Sequence, residues 1–114
     1  MSKTSPTQRS LEYLRADGYI AQVVERYCPH SRKRIDLFGV IDIVAVREGT
    51  ILGVQTTSTS NLSARVTKSL EEPRLQVWLS SGARFILHGW SKKGKRGRKK
   101  TWQVVVKEIT LGDQ

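Results

Sequence analysis

Cysteine is nearly absent from this sequence. Cys28 is the only one, so no intrachain disulfide can staple the fold, and a lone thiol fits a reducing compartment. With His30 and His88 as the only other soft donors, the chain lacks the ligands of a structural zinc site. It has no run of about 18 apolar residues, which excludes a membrane-spanning helix. No basic amphipathic segment stands out as a surface anchor. Residues 1–8 are polar and lack the apolar centre of an export signal, so a cytoplasmic location is expected. Aromatic residues make up 7% of the chain, few for a platform on which single-stranded bases stack. Acids are scarce too: ten Asp and Glu stand against twenty Lys and Arg, for a net charge of +10.

Such an excess of positive charge draws polyanions through counterion release, so nucleic acid is the expected partner. The charge is concentrated. Seven of the ten residues at 91–100 are basic: Lys92, Lys93, Lys95, Arg96, Arg98, Lys99 and Lys100. Gly94 and Gly97 among them would let the backbone approach a phosphate chain. A second cluster, Arg32, Lys33 and Arg34, lies in the loop expected at residues 29–34. The alternative for both is a solvated, solubilising surface.

With 114 residues and 38% of them hydrophobic, the chain can build one core, hence a single domain over residues 1–114. Ser5-Pro6-Thr7 reads as a helix start and Asp17-Gly18 as its end. Residues 19–27 read as a first strand. Residues 38–46 (Phe-Gly-Val-Ile-Asp-Ile-Val-Ala-Val) are almost wholly apolar, as in a central strand covered on both faces. Glu48-Gly49 is a turn signal, and residues 51–55 resume as a strand that Thr56 to Ser60 leave. Leu62, Val66 and Leu70 share one helix face; Pro73 interrupts that helix, and another turn or two follows. Residues 84–90 and 102–109 complete the strands, joined by a basic hairpin loop over 91–101. The expected fold is mixed α/β (α+β), ordered α-β-β-β-α-β-β, with a central mixed sheet flanked by helices. Of the tryptophans, Trp78 is expected in the core, and Trp90 and Trp102 as partly buried supports of the basic hairpin.

Asp42 is the anomaly in the apolar run. An unpaired buried carboxylate costs several kcal/mol, so a hydrogen-bond partner or a cation must compensate. A hairpin centred on Glu48-Gly49 sets Val46 opposite Ile51, Val44 opposite Gly53 and Asp42 opposite Gln55. Directly opposed Cβ atoms lie roughly 4.5–5.5 Å apart on one face. Two polar groups are thus predicted side by side, with Gly53 leaving space above them. A salt-bridged or capped aspartate remains the plainer alternative.

These residues resemble motifs of the PD-(D/E)XK nuclease superfamily, in particular small phage-type proteins similar to Holliday-junction resolvases. Residues 34–42 (Arg-Ile-Asp-Leu-Phe-Gly-Val-Ile-Asp) resemble its first motif, with Asp42 as the metal-binding aspartate. Residues 53–57 (Gly-Val-Gln-Thr-Thr) resemble the second, with Gln55 on the metal side. The likeness spans roughly residues 5 to 109 and implies a restriction-endonuclease-like core. It also implies magnesium or manganese as cofactor, held by Asp42, Gln55, the Thr56 carbonyl and a third acid, and a structure-specific endonuclease hydrolysing phosphodiesters in branched or duplex DNA during recombination. A homodimer in a bacterial host cytoplasm is implied as well.

The chain departs from the pattern twice. Gln55 replaces the commoner carboxylate and brings no charge. Thr57 stands where the family has a lysine, and Arg65 and Lys68, on one helix face just after the motif, are the substitutes. Glu25 is preferred as the third acid because a strand residue can lie beside the central strand; Glu12 and Asp36 are the others. Two alternatives remain: a non-catalytic DNA- or RNA-binding module on the same fold, which the departures favour, and a small basic RNA-associated protein.

Overall fold

A computed structural model of the chain describes residues 5–94, 97 and 99–113. Lys95, Arg96 and Arg98, expected to contact nucleic acid, lie outside the described residues. Helix α1, Pro6–Ala16, starts where the Ser5 hydroxyl accepts the Gln8 amide and Pro6 occupies the first turn. It ends before Gly18, whose φ of +91° suits only glycine comfortably.

Strand β1 is Ile20–Val23, and β2 is Arg26–Cys28. The single strand expected over residues 19–27 is broken because the Val24 and Glu25 amides both turn to the Asp42 main-chain carbonyl, at 2.8 and 3.3 Å. Beyond the break, β2 pairs antiparallel with β3, Lys33–Ile35, as a separate two-stranded hairpin. Arg34, expected in a loop, is therefore on a strand.

The apolar run at 38–46 is also not one strand. Leu37 and Ile41 exchange both main-chain hydrogen bonds at 2.9 Å, closing a turn with Phe38 and Gly39 at φ of 54° and 79°. The turn swings Val40 and Ile41 back into the core, so this run is apolar from burial in a turn as much as in a strand. Strand β4 is Ile43–Arg47, with Asp42 immediately ahead of it.

Strand β5, Thr50–Ser58, pairs with β4 in the predicted register, Val46 opposite Ile51 and Val44 opposite Gly53. It does not leave the sheet at Thr56. Strand β6, Arg84–Lys93, runs parallel beside it and holds it to Ser58, which faces Trp90. Between them lie a short 3-10 turn at Thr59–Asn61 and the helices α2, Leu62–Leu70, and α3, Pro73–Ser80. Strand β7, Thr101–Ile109, returns antiparallel to β6. Lys92 and Lys93 thus belong to β6, and the hairpin loop is shorter than expected.

The result is a mixed α+β fold with a five-stranded sheet in the order β1-β4-β5-β6-β7. Alternation along β5 builds two cores. Leu52 and Val54 pack with Leu11 and Leu14 of α1 on one face. On the other face Ile41, Leu75, Phe85 and Leu87 pack beneath α2 and α3. Each fully buried side chain of this size contributes roughly 1.5–3 kcal/mol. The space expected above Gly53 is filled: a Cβ there would lie 2.9 Å from Ile41 Cδ1 and 3.2 Å from Trp78 Cζ2. Trp78 itself is only half-buried, and its indole N–H donates to the Arg84 carbonyl at 2.8 Å.

Candidate metal centre

Where β4 begins, the break in the first strand and the turn before Asp42 bring three acids together. Carboxylate oxygens of Glu25, Asp36 and Asp42 all lie within 4.8 Å of one another. Both Glu25 and Asp36, two of the three candidates for the third acid, are present; Glu12 lies apart on α1, accepting from Gln8 Nε2. The acids line a cavity of about 260 Å³ together with Thr7, Arg34, Gln55, Thr56, Arg65 and Lys68. The predicted Asp42, Gln55, Thr56, Glu25, Arg65 and Lys68 therefore share one site. Thr7 is an addition the sequence offered no signal for.

Asp42 is 5% exposed. Its amide donates to the Val54 carbonyl at 2.9 Å, although Val54 is already paired with Ile43, so the regular register stops at Ile43 and Asp42 sits in a bulge beyond it rather than directly opposite Gln55; both still line the one cavity. Its Oδ2 accepts from the Thr56 amide at 2.8 Å and the Thr56 hydroxyl at 3.2 Å. Thr7 Oγ1 lies 2.8 Å from Thr56 Oγ1, so the hydroxyls form a chain that ends on Asp42. Burial pushes the Asp42 carboxyl up to about 8. A hydrogen bond shared with Asp36 and the negative charges of Asp36 and Glu25 push the same way, and the Thr56 amide opposes them. The carboxyl is thus held protonated at neutral pH unless positive charge enters the site.

Gln55 is 1% exposed, and its Nε2 has no hydrogen-bond partner among the described residues. The Ser69 hydroxyl decides how this amide is oriented. Its single proton goes to the Arg65 carbonyl at 2.8 Å, so its 3.3 Å contact with Gln55 Oε1 would be oxygen against oxygen with no proton between. The two ends of a glutamine amide are told apart by hydrogen bonding. Turning the amide over lets Nε2 donate to Ser69 and leaves Oε1 as the atom without a protein partner. A buried carbonyl oxygen in a cavity shared with three carboxylates is a donor set for a hard cation.

Three bases line the same cavity. Arg34 is committed to Glu25, Nη1 to Oε1 at 3.0 Å, so it steadies the third acid rather than standing free for nucleic acid as expected. Arg65 and Lys68 form no ion pair among the described residues and reach the cavity from α2. Thr57 is buried and carries no charge. The other expected nucleic-acid contacts, Arg32, Lys33, Lys92, Lys93, Lys99 and Lys100, are all exposed. Trp90 is buried, its indole N–H donating to Ser10, whereas Trp102 is exposed beneath the Arg9 guanidinium, 3.5 Å from its ring centre.

No protein family, curated protein or solved structure matches this chain.

Proposed function

We propose that the protein is a divalent-metal-dependent endodeoxyribonuclease that hydrolyses phosphodiesters in branched or duplex DNA, with a Holliday-junction-resolvase-like activity on a restriction-endonuclease-like core. The observation that carries this reading is the convergence of three carboxylates, a buried amide with one end unpartnered and two bases without an ion pair among the described residues, in one cavity of a protein of net charge +10.

The residues fit magnesium or manganese, which take oxygen ligands from carboxylates and amides. Asp42, Glu25, Asp36 and Gln55 would hold the ion, with the Thr56 carbonyl as a further oxygen. Bound there, such an ion supplies Lewis-acid stabilisation of phosphate charge and lowers the pKa of a water molecule. Thr56 and Thr7 hold Asp42 in place by hydrogen bonds, and Arg34 does the same for Glu25. Arg65 and Lys68 meet the scissile phosphate and stabilise the extra negative charge that develops as water attacks phosphorus, the role Thr57 cannot fill. Lys92, Lys93 and the basic loop bind flanking phosphates and fix the position of the duplex. A four-way junction offers two equivalent strands, which suits two copies of the site in a homodimer.

A second reading, a DNA-binding module without catalysis, draws on the uncharged Gln55 and Thr57. The two are separated by incubating the protein with a labelled four-way junction and a linear duplex, with magnesium, manganese or chelator. The nuclease reading expects metal-dependent cleavage that Asp42→Asn abolishes while binding persists. Tight binding with no cleavage in either metal would leave the second reading standing.

A further inference from the structure

The three tryptophans are tied into the fold unequally. Trp78 donates its indole N–H to the Arg84 carbonyl, and Trp90 donates to Ser10. The Trp102 indole has no hydrogen-bond partner among the described residues, and 45% of the side chain is exposed. It stands on β7, the last strand of the sheet, opposite Lys92 on β6. His88 and Trp90 of β6 both meet Ser10 of α1, and Lys92 follows them in alternation, so Lys92 and Trp102 share that face. There Arg9 of α1 lies over the ring, its Cζ 3.5 Å from the ring centre, and Lys92 Nζ lies 5.9 Å from it.

Charge identifies the ligand. Arg34, Arg47, Arg74 and Arg84 are each held by an acid, whereas neither Arg9 nor Lys92 forms an ion pair among the described residues. Two cations gathered at one ring repel each other, and an anion between them relieves the repulsion. The exposed Lys93, Lys99 and Lys100 add to the positive field at the same hairpin. A guanidinium stacked on an aromatic ring keeps its fork of N–H donors free for phosphate. An open π surface flanked by such donors suits a nucleotide, with its base on the ring and its phosphates on the cations. In a duplex each base is already stacked and paired, so an unpaired base is the one that reaches the ring without a further cost.

We infer that Trp102 stacks an unpaired base of a DNA substrate, with Arg9 and Lys92 on its phosphates. Aromatic residues are few in this chain, but one placed ring serves one base. The site lies beside the cavity. Thr7, which lines the cavity, is two residues before Arg9 on α1. Thr56 of the cavity is level with His88, and Lys92 and Trp102 lie four residues further along. That rise and two strand spacings put Trp102 about 16 Å from Thr56. One DNA strand can therefore engage both, paired at the cavity and unpaired at Trp102, which makes the substrate DNA at a boundary between duplex and single strand. The inference rests on DNA being the ligand and not on the metal centre.

Fluorescence anisotropy in chelator, where a metal-dependent nuclease does not cut, tests it on a duplex with single-stranded arms. In one form the arms carry thymine; in the other they are abasic, with the same phosphates. Wild type is expected to bind the thymine form at least about 5-fold more tightly, one stacked base being worth about 5- to 150-fold. Trp102→Ala should bind both forms equally, at the wild-type affinity for the abasic one, and Trp102→Phe should keep the preference. Thymine arms should quench wild-type tryptophan emission where abasic arms do not, and Trp102→Phe should lose that quenching. Should Trp102→Ala fail to fold, the two wild-type affinities and the quenching lost in Trp102→Phe decide the matter. Equal wild-type affinity for the two forms, or a folded Trp102→Ala that keeps the preference, would overturn the inference. If that wild type still cuts a four-way junction with manganese, the inference falls alone and the nuclease reading stands.

Discussion

The metal-free site should make the protein less stable as the pH rises, and Asp42→Asn should remove that effect. The Asp42 carboxyl is raised from 3.8 to about 8 in the folded protein, so folding takes up a proton between those values. Its contribution is fully present below pH 4 and is lost as pH rises through 8. At pH 7 about three units separate solution pH from the unfolded value, worth about 4 kcal/mol at 1.36 kcal/mol per unit. Asparagine keeps the geometry: its Oδ1 can accept from the Thr56 amide, and its Nδ2 can donate to Asp36 where the shared proton sits now. The variant should therefore match wild type near pH 4 and exceed it by about 2–4 kcal/mol at pH 8, raising Tm by roughly 10 °C or more. Urea unfolding in chelator from pH 4 to 8.5 measures this. His88 titrates in both proteins and cancels from the difference. A difference independent of pH, or a less stable variant at pH 8, would refute the argument.

Three further outcomes follow from particular side chains. Gln55→Glu adds the charge the amide lacks, so it should tighten manganese binding by calorimetry and lower stability in chelator by adding a fourth acid to the cavity. Burial lowers the His88 imidazole from 6.5 to about 4, so the unfolded chain protonates first and stability is lost as pH falls from 6.5 towards 4, by about 3 kcal/mol; His88→Gln should flatten this acid limb in urea titrations. Replacing Lys92, Lys93, Lys95, Arg96, Arg98, Lys99 and Lys100 with neutral residues should flatten the salt dependence of DNA affinity, by roughly 0.9 in log–log slope for each phosphate no longer neutralised.

The hairpin register from Ile43–Val54 to Arg47–Thr50, which brings Asp42 and Gln55 to one cavity, was legible because a turn signal and side-chain alternation fix register locally. Arg65 and Lys68 were expected at the site from the resemblance, and helical spacing set them on one face of α2. Asp36 was harder to read. It reaches Asp42 because the apolar run folds back between Leu37 and Ile41, and hydrophobicity alone does not distinguish a buried turn from a buried strand. Glu25 was named as a strand residue and reaches the site from a break in the strand, made by two amides binding the Asp42 carbonyl. Arg34 looked like one more surface base because its partner is nine residues away across a hairpin the sequence does not announce. The length of β5 depended on β6, some thirty positions later, and such non-local pairing leaves no local mark.

If the proposed function holds, Asp42, Glu25, Asp36 and Gln55 surround a divalent cation. Crystals soaked in manganese, with anomalous scattering recorded for wild type and Asp42→Asn, would show that ion. One strong peak is expected in wild type, bounded by those four side chains with Gln55 Oε1 turned towards it, and none in the variant. An empty cavity in wild type at saturating manganese, or an equal peak in the variant, would contradict it.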